Sequence, residues 1–278
     1  MLPIISASNL ENIPNENLII LDARTGKDAY QNYLKKHIKG AIFIDLDKDL
    51  AVAVENPAFG GRHPLPSIEK FAETLSNLGI SEDSHVVIYD DKNGANAAAR
   101  TWWMLKSFGL KNVQVLDGGI QNAEKEGLEF SAGEESFQKS ELIETKNWLL
   151  PQSALEDVEN EILNNSSTVI DVRDSYRFKG ESEPIDLVAG HIPGAINIPF
   201  TENLDENGNF LGPKILKEKY SKLLENKPEK IIIHCGSGVT ACHTILALTY
   251  AGLEIPNLYV GSWSEWSRRK GKEIATEI

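Results

Sequence analysis

The stretch "IIIHCGSGVTACHTILAL" (Ile231–Leu248) decides how the whole chain is read. "IIIH" has the length and β-branched content of a strand, a glycine-bearing loop follows, and "ACHTILAL" continues as an apolar helix. A strand feeding a helix in this way is the repeating unit of a parallel sheet, whose ligands collect beyond the carboxyl ends of the strands. Cys235 stands at such an end. Gly236 and Gly238 let the backbone curl without Cβ clashes, so that successive N–H groups can turn toward the sulfur, with the helix N-terminus behind them. A free cysteine is only about 3% thiolate at pH 7. A loop of this design is expected to hold the sulfur as an anion. Cys242, inside the helix, reads as a small core residue, and His234, within the strand, reads as packed.

Working outward, the chain reads twice. "LIILDAR" (Leu18–Arg24) answers "STVIDVR" (Ser167–Arg173), and "HIKGAIFI" (His37–Ile44) answers "HIPGAINI" (His191–Ile198). "HVVIYDD" (His85–Asp91) answers "KIIIHCG" (Lys230–Gly236), and "VQVLDGG" (Val113–Gly119) answers "NLYVGSW" (Asn257–Trp263). Four matches in one order indicate a duplicated fold, not a solenoid, whose periods are about 20–50 residues. Strand-like runs alternate with helical patterns such as "SIEKFAETLSNLG", capped by Ser67 and stopped by Gly79, and "KILKEKYSKLLEN" (Lys214–Asn226). "ALEDVENEIL" opens the second copy with Ser153 as the expected N-cap. The expected fold class is α/β, two tandem domains, each a mostly parallel sheet with helices on both faces. The expected organisation is a first domain over 1–128, a polar linker over 129–147 and a second domain over 148–278.

Composition narrows the function classes. The 278 residues suffice for two domains with their own cores, and 41% hydrophobic with 25% charged content is that of a soluble globular protein. A net charge of −13 argues against nucleic acid and against anionic membranes as partners. "MLPIISASNLENI" lacks the basic and apolar regions of a secretory leader, and no apolar run has membrane-span length. With only two cysteines there is no disulfide framework, and a cytoplasmic setting is expected.

The loop admits rival chemistries. "HCGSGVTA" nearly matches the loop of cysteine-dependent phosphatases, in which HC and five residues precede an arginine; here that position is Ala241. Phosphoryl transfer needs a planar, bidentate cation in the loop. Arg268 and Arg269 lie far downstream in the chain, and no local arginine replaces the missing one. Structural zinc would need a second ligand pair that the chain lacks. A non-catalytic tandem module that binds partners through the same loop is the remaining rival class.

At this point the residues resemble a family. "LDAR", "HIKGA", "ARTWWMLKSFG", "VLDGG", "DVRDSYRFKG", "GHIPGAINIPF", "HCGSGVTA" and "GSWSEWS", spread over nearly the whole chain, are similar to the two-domain rhodanese-like sulfurtransferases. These comprise the 3-mercaptopyruvate and thiosulfate enzymes. The resemblance implies a working cysteine in the second domain alone, Cys235, and Asp90 at the matching loop position makes the first domain catalytically silent. "CGSGVTA" is similar to the mercaptopyruvate type, since the thiosulfate type usually carries two basic residues where Gly236 and Ser237 stand. The resemblance further implies that Ser237 works with His63 and Asp47, and that Arg177 binds the donor carboxylate. Gly236, Gly238, Val239 and Thr240 would line the loop that holds the sulfur. The family's second carboxylate-binding arginine is replaced by Ile185, followed by Asp186. The implied reaction takes sulfane sulfur from 3-mercaptopyruvate, or alternatively thiosulfate, onto Cys235. It then passes to a thiol or dithiol acceptor such as a thioredoxin-like protein, with no metal or organic cofactor.

Overall fold

Each copy of the repeat supplies one five-stranded parallel sheet. The computed structural model describes residues 1–277 apart from Lys146, Asn165, Ser166 and the stretch 224–229, with Asn15 and Leu223 described by backbone alone. The last three residues of the helix expected over Lys214–Asn226 fall outside the described residues.

The first sheet uses β1 (Ile4–Ile5), β2 (Leu18–Asp22), β4 (Ala41–Phe43), β5 (His85–Tyr89) and β6 (Val113–Leu116), in the order β1-β6-β5-β2-β4. β3 (His37–Ile38) pairs antiparallel with β7 (Phe130–Ser131). The helices of this copy are α1 (Ala7–Leu10), α2 (Ala29–Lys35), α3 (Ile68–Asn77), α4 (Ala97–Phe108) and α5 (Gly119–Lys125). Ser67 accepts from the Lys70 N–H and caps α3 as expected, and Gly79 follows its end at a φ of +71°. α4 is buried along nearly its whole length, Trp102 and Trp103 included, so it can be apolar all round. Burying each such indole contributes on the order of 3 kcal/mol.

The second sheet repeats the order as β8-β12-β11-β9-β10, built from β8 (Gln152–Ser153), β9 (Thr168–Asp171), β10 (Ile196–Asn197), β11 (Ile231–His234) and β12 (Asn257–Tyr259). Its helices are α6 (Leu155–Asn164), α7 (Ser175–Lys179), α8 (Pro213–Leu223), α9 (Ala241–Tyr250) and α10 (Ser262–Trp266). α9 is buried at every position from Ala241 to Leu248, Cys242 included. The cap of α6 differs from expectation. Ser153 closes β8 instead, and the Asp157 carboxylate accepts from the Ala154 N–H at 2.8 Å. An acidic side chain reaching back from the first turn does the same electrostatic work as a serine ahead of it.

The "DAR" and "DVR" matches have one physical role. In each, the arginine folds back on its own aspartate: Arg24 Nη2 lies 2.7 Å from Asp22 Oδ2, and Arg173 Nη2 lies 2.6 Å from Asp171 Oδ2. Each guanidinium also donates to a distant carbonyl, Lys36 O and Gly190 O respectively.

By contacts the chain divides into two units, and the division is not a single cut. The first comprises Met1–Ala51, Pro66–Leu150 and Glu206–Phe210; the second comprises Val52–Leu65, Pro151–Asp205 and Leu211–Ile278. Residues 129–145, expected as linker, lie along the first unit, where β7 pairs with β3 and Ser140 Oγ donates to Ile80 O. Among the described residues no helix is long and apolar enough to cross a membrane.

Candidate active site

β11, central in its sheet, runs straight into Cys235, which is 3% exposed. The loop after it is pinned from outside by the "GSW" turn. The Cys235 N–H donates to Ser262 Oγ at 3.2 Å, while Cys235 O and Gly236 O accept from the N–H groups of Trp263 and Ser264 at 3.0 and 2.8 Å. Ser262 sits at a φ of +53°, and its hydroxyl in turn donates to Tyr259 O. The loop's first two carbonyls are thereby drawn to one side. At Gly238 the φ is +72° and an added Cβ would fall 2.5 Å from Val260 O, so the turn requires glycine. Val239 is buried, Thr240 is half-buried at the start of α9, and the Cys242 thiol donates to Gly238 O at 3.4 Å.

The first copy shows what such a loop can hold. At the end of β5, where register matches Tyr89 with Asp22 as His234 matches Asp171, stands Asp90. Its buried carboxylate accepts from the N–H groups of Lys92, Gly94, Asn96 and Ala98 at 2.8–3.2 Å. Burial pushes the Asp90 carboxyl up, and the four donors oppose that rise.

His63 and Ser237 come together: Nδ1 and Oγ are 2.8 Å apart. Histidine reaches the serine on an arm, Val52–Leu65, that belongs to the first half of the sequence but to the second unit by contacts. Two glycines seat the arm. An added Cβ on Gly61, at a φ of +80°, would lie 2.4 Å from Gly261 O. Gly60 N–H donates to Glu265 Oε1 and Arg62 N–H to Ser264 Oγ, so the arm docks on the same turn that pins the cysteine loop. Asp47 lies in the first unit, in an exposed turn after β4, with its N–H donating to Asp45 Oδ1.

Arg177 stands on α7 with several partners. Its guanidinium engages Glu183 at 2.8 Å and Asp186 at 3.5 Å. Burial pushes the Glu183 carboxyl up, but hydrogen bonds from Arg177 and the N–H groups of Asp186 and Ile185 outweigh it and hold it below the usual range. Arg173 Nη1 reaches the same Glu183 at 3.1 Å while its guanidinium stacks over Trp263. Lys179 is exposed, and Ile185 is 55% exposed.

Sequence reading missed three residues here. Asp186, with no exposed side-chain surface, is bound by Arg62 (Nε–Oδ1 3.1 Å), Arg268 (Nη1–Oδ1 2.8 Å) and Arg177. An added Cβ on Gly236 would meet Arg62 Nη2 at 3.1 Å and Arg177 Nη2 at 3.4 Å. The sequence offers no local arginine for the loop; folding brings Arg62 and Arg177 beside it, and Asp186 links Arg268 to them. The double glycine ahead of Arg62 and His63 was the signal that could have found the arm, since adjacent glycines mark close backbone approach. The His234 ring is fully buried, with Nδ1 3.2 Å from Cys235 O, in keeping with a packing role. Among the described residues no cluster of three or more His, Cys, Asp or Glu could hold a metal ion.

A rhodanese-like domain profile matches residues 6–126 and again 154–269. The chain belongs to the rhodanese-like family. Curated relatives match it over nearly their whole length. It is 40% identical over 266 residues to a protein of Pseudomonas aeruginosa named "Probable 3-mercaptopyruvate sulfurtransferase", covering 94% of this chain and 93% of that one. It is 35% identical to the human 3-mercaptopyruvate sulfurtransferase, covering 92% and 87%. Among solved structures, SseA from Escherichia coli, described as a 3-mercaptopyruvate sulfotransferase, superposes with a TM-score of 0.81 at 32% identity, covering 95% of this chain and all of that one. This rhodanese-like protein is thus a tandem member of the 3-mercaptopyruvate sulfurtransferase family, an enzyme family of sulfur transfer.

Proposed function

We propose that this protein moves sulfane sulfur from 3-mercaptopyruvate to a thiol acceptor through a persulfide on Cys235. The thiolate attacks the donor sulfur, the bond between that sulfur and C3 breaks, and its electrons leave on the enolate of pyruvate. The enolate takes up one proton to give pyruvate. The persulfide loses the proton the donor thiol carried, so Cys–S⁻ and 3-mercaptopyruvate become Cys–S–S⁻ and pyruvate. An acceptor thiol, small or in a thioredoxin-like protein, then attacks the outer sulfur and releases the Cys235 thiolate.

The Ser237–His63 pair, one residue beyond Gly236, carries this reading. A serine hydroxyl hydrogen-bonded to an imidazole can supply a proton to the departing enolate and recover it, whereas sulfite leaving from thiosulfate needs none. The family likeness adds Asp47 as the residue that orients the histidine. Main-chain N–H groups between Gly236 and Thr240, including that of Val239, hold the negative sulfur; the Asp90 loop supports this by analogy, since it holds a carboxylate in that way. A phosphatase reading has little support, because the nearby guanidiniums are engaged by Glu183 and Asp186. A catalytic thiol that must stay reduced supports a cytoplasmic setting.

The test is mass spectrometry of the intact protein after exposure to 3-mercaptopyruvate. One added sulfur on the Cys235 peptide, released by dithiothreitol and matched by an equal amount of pyruvate, is expected. Cys235→Ser should show neither. A kcat/KM for thiosulfate far above that for 3-mercaptopyruvate would overturn the donor assignment, and no added mass with either donor would favour a binding module.

A further inference from the structure

Asp186 is a buried carboxylate surrounded by guanidiniums, and it lies beside the loop that carries the nucleophile. Arg62 meets both of its oxygens, Arg268 meets one and Arg177 the other, at 2.8–3.5 Å. Its Oδ2 is also 3.5 Å from the point where a Cβ on Gly236 would sit, just beyond the guanidiniums of Arg62 and Arg177 at 3.1 and 3.4 Å. The arginines around it are not surplus structural charges. Arg173 is taken by Asp171, and Glu183 bridges Arg173 and Arg177, which leaves Asp186 as the carboxylate that Arg62 and Arg268 share with Arg177. A planar carboxylate seated among guanidinium forks is also how a 2-oxo acid donor would be held.

We infer that Asp186 is an internal occupant of the anion seat beside Cys235 and sets how tightly this enzyme binds carboxylate donors. The inference rests on the proposed reaction only in naming the donor. With Asp186 in place, an incoming carboxylate meets cations that are already neutralised. The seat therefore lowers affinity for the donor and for non-reacting carboxylates such as pyruvate alike. Arg62 has the most exposed side chain of the three, 25% against 14% for Arg268 and 9% for Arg177.

Pyruvate binding to the full-length Cys235→Ser protein, followed by calorimetry in low-salt buffer, tests this without requiring sulfur transfer. Asp186→Asn keeps the shape and removes the charge, and should tighten pyruvate binding about tenfold or more. Adding Arg62→Gln should undo the gain. Unchanged or weaker pyruvate binding in folded Asp186→Asn would show that the acid merely positions the arginines and would overturn the inference. Should that variant fail to fold, Asp186→Ser, which removes the same charge in a smaller side chain, decides by the same measurement: tighter pyruvate binding supports the inference, and unchanged or weaker binding overturns it. Failure of the proposed reaction would appear separately, as absence of turnover in the wild type.

Discussion

At the scale of the residue, the candidate site sets Cys235 beside a hydroxyl–imidazole pair, and the proposed reaction asks the first to accept sulfur and the second to manage one proton. The 2.8 Å contact between Ser237 and His63 joins them in one hydrogen-bonded pair. Ser237→Ala is expected to lower kcat/KM for 3-mercaptopyruvate by about 10²–10⁴-fold and to affect thiosulfate far less. His63→Gln should match it, and the double variant should lose little more than either, because groups that act as a unit are not additive. Steady-state kinetics with both donors would check this; equal losses on the two donors would remove the proton relay. The strand, loop and helix around Cys235, with the turn at Gly238, were legible in the sequence, because they are contiguous and local geometry dictates the glycine. Asp186 was not. A carboxylate between an isoleucine and a leucine carries no local mark of the arginines that fold places around it.

At the scale of the element, the arm Val52–Leu65 matters as much as the cysteine loop. It carries Arg62 and His63, and it is seated by Gly61 against Gly261. Gly61→Ala would put a Cβ 2.4 Å from a backbone carbonyl at a φ of +80°. Loss of about 1–3 kcal/mol of stability is expected, together with a fall in kcat/KM of up to about 10²-fold from misplaced side chains. Gly127→Ala is the control. It has the same φ of +80° with nothing within 4 Å, so it should share the backbone strain and spare the activity. Denaturant titration and kinetics on the two variants separate strain from displacement. α9 illustrates a different constraint. Burial holds the His243 imidazole down to about 3, whereas the unfolded chain titrates near 6.5. Below pH 6.5 the unfolded chain takes up a proton that the folded chain refuses. The stability present above that pH is therefore lost as pH falls toward 3, by up to about 1.4 kcal/mol per unit. His243→Gln should flatten the stability profile between pH 5 and 6.5; urea unfolding across that window measures it, and an unchanged slope would refute the assignment.

At the scale of the whole molecule, duplication explains most of what was readable. Two sheets in the same strand order, two aspartate–arginine pairs folded back on themselves, and two loops at the ends of β5 and β11 repeat one plan. The sequence by itself determined that plan, because strand periods, helix caps and glycine turns are local and were written twice in the same order. It also placed the one cysteine of the two loops in the second copy, with Asp90 at the matching position of the first. Only the tertiary structure decided where the arm from the first half docks, that Arg177 has Glu183 and Asp186 as partners, and that the guanidinium absent from the loop's own sequence is brought to it by Arg62. Those facts depend on charges distant in the chain meeting in a low-dielectric setting, where each must find an opposite partner, and no local pattern records which one it finds.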